Sequence, residues 1–176
     1  GARARAYETS IDWLVHSGLI YRVNCIEKVG LPLAGYAKKE IFKLYNIDVG
    51  LLGAQLGVDP KVIIHGDALF TDFKGAMTEN FVLQEFKQQG ISEVYYWRSE
   101  NIAEVDFLIA LNNKILPIEV KAGVDRNTRS LRAYQSQNKA NLIYRMTLRN
   151  LKRDHDLCNL PLYLAGFLKK IQDFCV

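Results

Sequence analysis

The 176 residues, 49% of them hydrophobic, suffice for one sizeable core with room for a small appended module. No apolar run approaches the ~18 residues that a transmembrane helix needs, which excludes a membrane-spanning role. The net charge is only +4, yet residues 121–153 hold nine Lys or Arg against the single acid Asp125, a local +8 that leaves −4 to the rest of the chain.

Taken in chain order, GARARAYETS lacks an initiator Met and any signal-peptide pattern, so the chain reads as a piece of something longer. Residues 6–17 (AYETSIDWLVHS) predict a helix with Ile11, Leu14 and Val15 on one face and Gly18 as its stop. Strands are expected over 19–26 (LIYRVNCI) and 41–48 (IFKLYNID), and a short apolar helix over 49–57. A helix followed by two strands is also the back half of a winged helix, so residues 1–58 read as a small N-terminal segment of that kind. Gly30 and Gly35 have the spacing of a phosphate-binding loop, but Tyr36 and Ala37 stand where Lys and Ser or Thr should follow. Nucleotide binding is therefore rejected.

Residues 58–74, with Pro60 and Gly66, predict a linker into a second domain over 59–176. Its expected elements are a helix (75–89), strands (93–98, 102–111 and 114–121), a helix (127–139), a strand (141–146) and a last helix (161–173) opening on Pro161. The cysteines Cys25, Cys158 and Cys175 are odd in number, widely spaced and without a CxxC. They argue against a disulfide framework or a zinc site and for a reducing, cytoplasmic setting.

The chemistry concentrates on KILPIEVKAG (114–123). A two-residue Asn112-Asn113 turn would pair Leu111 with Lys114, which sets Asp106 opposite Glu119 and Glu104 opposite Lys121. Asp106, Glu119 and Lys121 then share one face, and Val105, Phe107, Ile109, Leu116, Ile118 and Val120 the other. Two facing carboxylates repel unless a cation or a proton intervenes, and Mg²⁺ suits such oxygens. Lys121 would position the attacking water. Glu79 falls within the apolar stripe of Val82, Leu83 and Phe86, so it is either paired or serves the site. The competing reading is a Glu104–Lys121 ion pair with exposed acids. Glu119 and Lys121, two residues apart on a strand, look less like a mutual ion pair.

Asp106, then Glu119-x-Lys121 on the next strand, with Glu79 on the preceding helix, resembles the PD-(D/E)xK nuclease superfamily. The run ENFVLQEF…VYYWRSENIAEVDFLI…LPIEVKAG…RSL, with YETSIDWLVHSGLIYRV and KLYNIDVGLLGAQLG before it, is similar to the C-terminal domain, catalogued as of unknown function, of bacterial and archaeal AAA-type ATPases. The resemblance implies an α/β, restriction-endonuclease-like core, a mixed sheet flanked by helices, in which Asp106, Glu119 and Glu79 ligate Mg²⁺ (or Mn²⁺) and Lys121 activates water. It also implies an ATPase module upstream as partner, joined through a winged-helix segment. The first motif is Val105-Asp106 rather than Pro-Asp.

Arg129, Arg132 and Gln135 share an edge at the start of the 127–139 helix, placed to hold phosphate oxygens of DNA or else simply solvated. Tyr95, Tyr96 and Trp97 offer one face to the core and the other to base stacking. His16, His65 and His155 share no ligand spacing. The expected function is a Mg²⁺-dependent phosphodiesterase (endonuclease) acting on DNA. The alternatives are an inactive DNA- or protein-binding regulatory module and a structural dimerisation domain.

Overall fold

The computed structural model describes residues 7–59, 61, 71–100, 103–124 and 127–171. Among them run the strands β1 (Ile20–Ile26), β2 (Ala37–Asn46), β3 (Tyr95–Arg98), β4 (Glu104–Leu111), β5 (Lys114–Val120), β6 (Ile143–Thr147), β7 (Lys152–Asp154) and β8 (Leu157–Pro161). They form one eight-stranded mixed sheet in the order β2-β1-β3-β4-β5-β6-β8-β7. The pairs β1/β3, β5/β6 and β6/β8 are parallel and the rest antiparallel. The helices are α1 (Glu8–His16), α2 (Val49–Gln55), α3 (Thr71–Gln88), α4 (Arg129–Asn138) and α5 (Leu168–Ile171), with 3₁₀ turns at Leu33–Tyr36 and Leu162–Phe167. None of these helices is long and apolar enough to cross a membrane.

Both faces of the sheet are covered, which is why β5 and β6 read as near-continuous apolar runs. Under α3, Val82, Leu83 and Phe86 pack on Phe107, Ile118 and Met146. Val23, Cys25 and Tyr45 of the N-terminal hairpin belong to the same cluster, so β1 and β2 extend the one sheet. Under α4, Leu131 and Tyr134 pack on Trp97, Val105, Leu108 and Ile143. Phe86 meets Phe107 edge-on at 5.6 Å, and Trp97 meets Tyr134 at 5.2 Å. Burying each such ring contributes about 1.5–3 kcal/mol. Tyr96 and Trp97 are both buried, on opposite faces, so neither is open for base stacking.

α3 is the element that ties the halves together. It stops at Gly90, whose φ of +72° suits a residue without Cβ, with Ile91 N–H donating to Phe86 O at 3.1 Å and Gly90 N–H to Lys87 O at 2.9 Å. Buried Asn80 grips the end of β2: its Oδ1 accepts Asn46 N–H at 2.8 Å and its Nδ2 donates to Asn46 O at 3.1 Å. Gln84 Oε1 accepts Val49 N–H at 2.9 Å at the start of α2.

Several expectations need correction. β7 and β8 were unforeseen, because Lys152–Asp154 is wholly exposed and Leu157–Pro161 carries no alternation. Pro161 ends β8 with an extended ψ of 140° instead of opening a helix, and the described part of the expected 161–173 helix is a 3₁₀ turn (Leu162–Phe167) followed by α5 from Leu168. Cys158 is disulfide-bonded, against the reading of the cysteine spacing, while Cys25 is free and buried. Most of the 58–74 linker, with His65, lies outside the described residues, as do residues 6, 102, 125, 126, 172, 173 and 175; residues 71–74 already belong to α3.

Candidate functional site

The hairpin turn is built by Asn112 and Asn113, with φ of 49° and 59°, a left-handed pair that asparagine tolerates. From Leu111↔Lys114 to Phe107↔Ile118 the β4/β5 register is the expected one. Beyond it the strand bulges. β3 advances from Tyr95 to Trp97 while β4 advances from Leu108 to Val105, one residue more. The bulge reverses the facing of the residues past it, so Val105 packs under α4 and Phe107 under α3 rather than on one shared face. Asp106 sits at this irregularity, and its Oδ2 accepts Val120 N–H at 2.7 Å. Glu119 alternates with Ile118 and Val120, which pack under α3, and so stands on the α4 side. The expected side-by-side pairing of Asp106 with Glu119 is therefore not formed; the two acids flank the end of β5.

On the α3 side Asp106 joins a charged cluster. Lys43 Nζ lies 2.5 Å from Glu104 Oε1 and 3.8 Å from Glu79 Oε2, and Tyr45 Oη donates to Glu79 Oε2 at 3.0 Å. Glu104 is thus held by Lys43 across the sheet, not by Lys121. Burial, then the charge of Glu79, pushes the Asp106 carboxyl up to about 7, against the pull of the Val120 amide and Lys43; Glu119 adds a smaller push. Burial and Glu79 push the Tyr45 hydroxyl far up. Burial works against the charge of Lys43, but Glu79 and Glu104 outweigh it and hold its pKa up.

On the α4 side Lys121 Nζ lies 2.7 Å from Glu119 Oε1. This is the mutual ion pair that the strand spacing argued against: neighbours two apart are ~6–7 Å apart at the backbone, and the lysine stem is long enough to fold back. Glu119 is 5% exposed, and its Oε2 is buried with no hydrogen-bond partner. Among the described residues no three His, Cys, Asp or Glu side chains stand together as a metal-holding group. Among the described residues, Glu119 Oε2 is a buried carboxylate oxygen without a hydrogen bond, and Asp106 is a buried carboxyl with a raised pKa.

Arg132 and Gln135 are drawn together, but toward an acid of the chain itself. Arg132 Nη1 and Gln135 Nε2 donate to Asp156 Oδ2 at 2.6 and 2.8 Å, and Arg132 Nη1 donates to Gln135 Oε1 at 2.7 Å. The Arg132 and Gln135 hydrogen bonds hold the Asp156 carboxyl down at about 2. Arg129 is exposed in the first turn of α4.

Sequence reasoning missed Lys43, Tyr45, Asn80 and Arg145. Lys43 shares the strand phase of Ile41 and Tyr45, which pack on the core, and a lysine in that phase was the available signal. Arg145 is 7% exposed on β6, in register with Glu119 on β5 and Asn159 on β8, and its Nε donates to Asn159 Oδ1 at 3.3 Å.

Residues 74–164 match the family model described as Domain of unknown function (DUF4143), and residues 1–62 match one described as Domain of unknown function (DUF8612). Among curated proteins, uncharacterized proteins of Mycobacterium tuberculosis (strain ATCC 25618 / H37Rv) and Mycobacterium bovis (strain ATCC BAA-935 / AF2122/97) are each 31% identical over 80 residues, 45% of this chain. The match spans only 17% of the length of these relatives. No solved structure matches the chain. Because the match over 74–164 covers just over half of the sequence, the chain belongs to the family described as Domain of unknown function (DUF4143).

Proposed function

We propose that the chain is a restriction-endonuclease-like, PD-(D/E)xK-type domain that cleaves DNA phosphodiesters with Mg²⁺ or Mn²⁺ at Asp106, Glu119 and Lys121, as part of an AAA-type ATPase. The observation that carries this reading is the buried, unpartnered Oε2 of Glu119 at the end of the strand pair that also holds Asp106, a carboxyl pushed up to about 7. Two under-compensated acids fit Mg²⁺, which is held by one or two carboxylates and completes its shell with waters and substrate phosphates. Asp106 and Glu119, one on each side of the end of β5, would hold the ion between them at that end. Bound there, it would polarise a phosphoryl oxygen and lower the pKa of a water. Glu79, engaged by Tyr45 and Lys43, acts on the charge of Asp106 rather than as a ligand. Lys121 steadies Glu119 and supplies positive charge beside the phosphate.

A second reading, a DNA- or protein-binding module without turnover, is favoured by one observation: the Lys121–Glu119 pair and the Glu79 contacts already commit three of the four residues to each other or to neighbours. Supercoiled plasmid separates the two. Incubated with the chain and Mg²⁺ or Mn²⁺, it is nicked in the first reading, and Asp106→Ala with Lys121→Ala abolishes nicking. If wild type and double variant leave equal amounts of intact plasmid, the enzyme reading falls and the binding reading stands.

A further inference from the structure

A row of polar residues crosses the α4 face of the sheet. Glu119 on β5 is in register with Arg145 on β6, Arg145 with Asn159 on β8, and Asn159 with Lys152 on β7. Three of these four are nearly buried, at 5%, 7% and 5% exposure for Glu119, Arg145 and Asn159. The row leads from the Glu119–Lys121 pair to a cavity of about 730 Å³ lined by Thr128, Arg145, Arg149, Lys152, Asp154 and Asn159. Among the described residues, three cations line it with one acid. The cavity wall is sewn to the segment that follows Lys121: Arg149 Nε donates to Val124 O at 3.0 Å and Leu148 N–H to Gly123 O at 3.2 Å.

We propose that this cavity binds the phosphate backbone of a nucleic-acid strand and aligns it with the Glu119–Lys121 end of the sheet, Arg145, Arg149 and Lys152 being the phosphate-contacting residues. The assignment of a nucleic acid rests on the function proposed above. Guanidinium groups match phosphate oxygens in planar, two-pronged fashion. A free phosphate would fill little of a cavity this size, and Leu148 and Leu151 at its mouth, 60% and 43% exposed, present apolar surface to a sugar or base. The cavity also explains where a strand is held when Arg132 and Gln135 are taken up by Asp156.

The test is anisotropy of a labelled single-stranded oligonucleotide titrated with the 176-residue chain in EDTA, at several salt concentrations. Lys152→Gln, exposed on β7, and Arg149→Gln should each lower affinity by about 3- to 10-fold and flatten the salt dependence by about 0.7 in log–log slope, with the melting temperature of Lys152→Gln unchanged. Arg145→Gln should do the same if it folds; Lys152→Gln decides the matter if it does not. Lys39→Gln, exposed on β2 away from the cavity, should bind as wild type. Unchanged affinity and slope in the Arg149→Gln/Lys152→Gln double variant overturn the proposal, as does a wild type that binds no oligonucleotide, or one that is stabilised by inorganic phosphate alone. Binding that depends on the cavity without any plasmid cleavage leaves the cavity standing and sinks the nuclease reading. Cleavage by wild type with binding indifferent to these residues does the reverse.

Discussion

Asp106 Oδ2 accepts the backbone amide of Val120 at 2.7 Å, so a carboxyl at a bulge in β4 closes the end of β5 where the regular ladder has stopped. Its pKa, ordinarily 3.8, is raised to about 7. In the window between those values the native state keeps a proton that the unfolded chain has released. Stability from this group is therefore full below pH 3.8 and is lost as pH rises through about 7. Asp106→Asn keeps an acceptor for Val120 and removes the charge. The melting temperature of wild type should fall relative to Asp106→Asn between roughly pH 4 and pH 7. Parallel melting curves across that range would contradict the raised pKa.

Lys121→Met strands the buried Glu119 carboxylate. It should cost about 1–3 kcal/mol in urea denaturation, less than a fully buried pair because Lys121 is partly solvated. Glu119→Leu with Lys121→Met should recover part of that loss, since both charges are gone. A double-mutant cycle with coupling below about 0.3 kcal/mol would show the pair to be inert.

Lys43 draws the pKa of Asp106 down. Lys43→Met should push that pKa further up, so that Mg²⁺, which must displace the proton, raises the melting temperature only at more alkaline pH than in wild type. An unmoved pH midpoint for Mg²⁺ stabilisation would remove Lys43 from the site. The same titration in EDTA should show no stabilisation at any pH.

Asn80→Leu removes both hydrogen bonds to Asn46 and leaves a backbone donor and acceptor without their partner. The expected loss is about 2–4 kcal/mol, against about 1 kcal/mol for Gln84→Ala, which gives up one bond to Val49. Equal losses would mean that Asn80 is ordinary packing.

What was legible before the structure depended on range. The Asn112-Asn113 turn is local, and it brought the β4/β5 register with it as far as Phe107↔Ile118. The bulge past that point arises from pairing with β3, and nothing in IAEVDFLIAL marks it. It alone moved Val105 to the α4 face and separated Asp106 from Glu119. Lys43 and Tyr45 reach Glu79 only because β1 pairs parallel to β3, a connection across about seventy residues that periodicity does not reveal. Glu79 was recognised as a carboxylate in need of a partner, and the partners came from β2. Arg145 was counted within a basic block because strand 141–146 had no assigned neighbour on its far side until β8 was seen.

The row Glu119–Arg145–Asn159 has one more consequence. β6 is buried along its whole length, and an apolar parallel strand of that kind is indifferent to sliding by two residues, which keeps every side chain on its own face. Arg145 removes the indifference. A slip by two in one direction would set its guanidinium beside Lys121, and in the other beside Pro117, where there is no charge to meet it. The polar row thus acts as the key that admits β6 to the sheet in a single alignment.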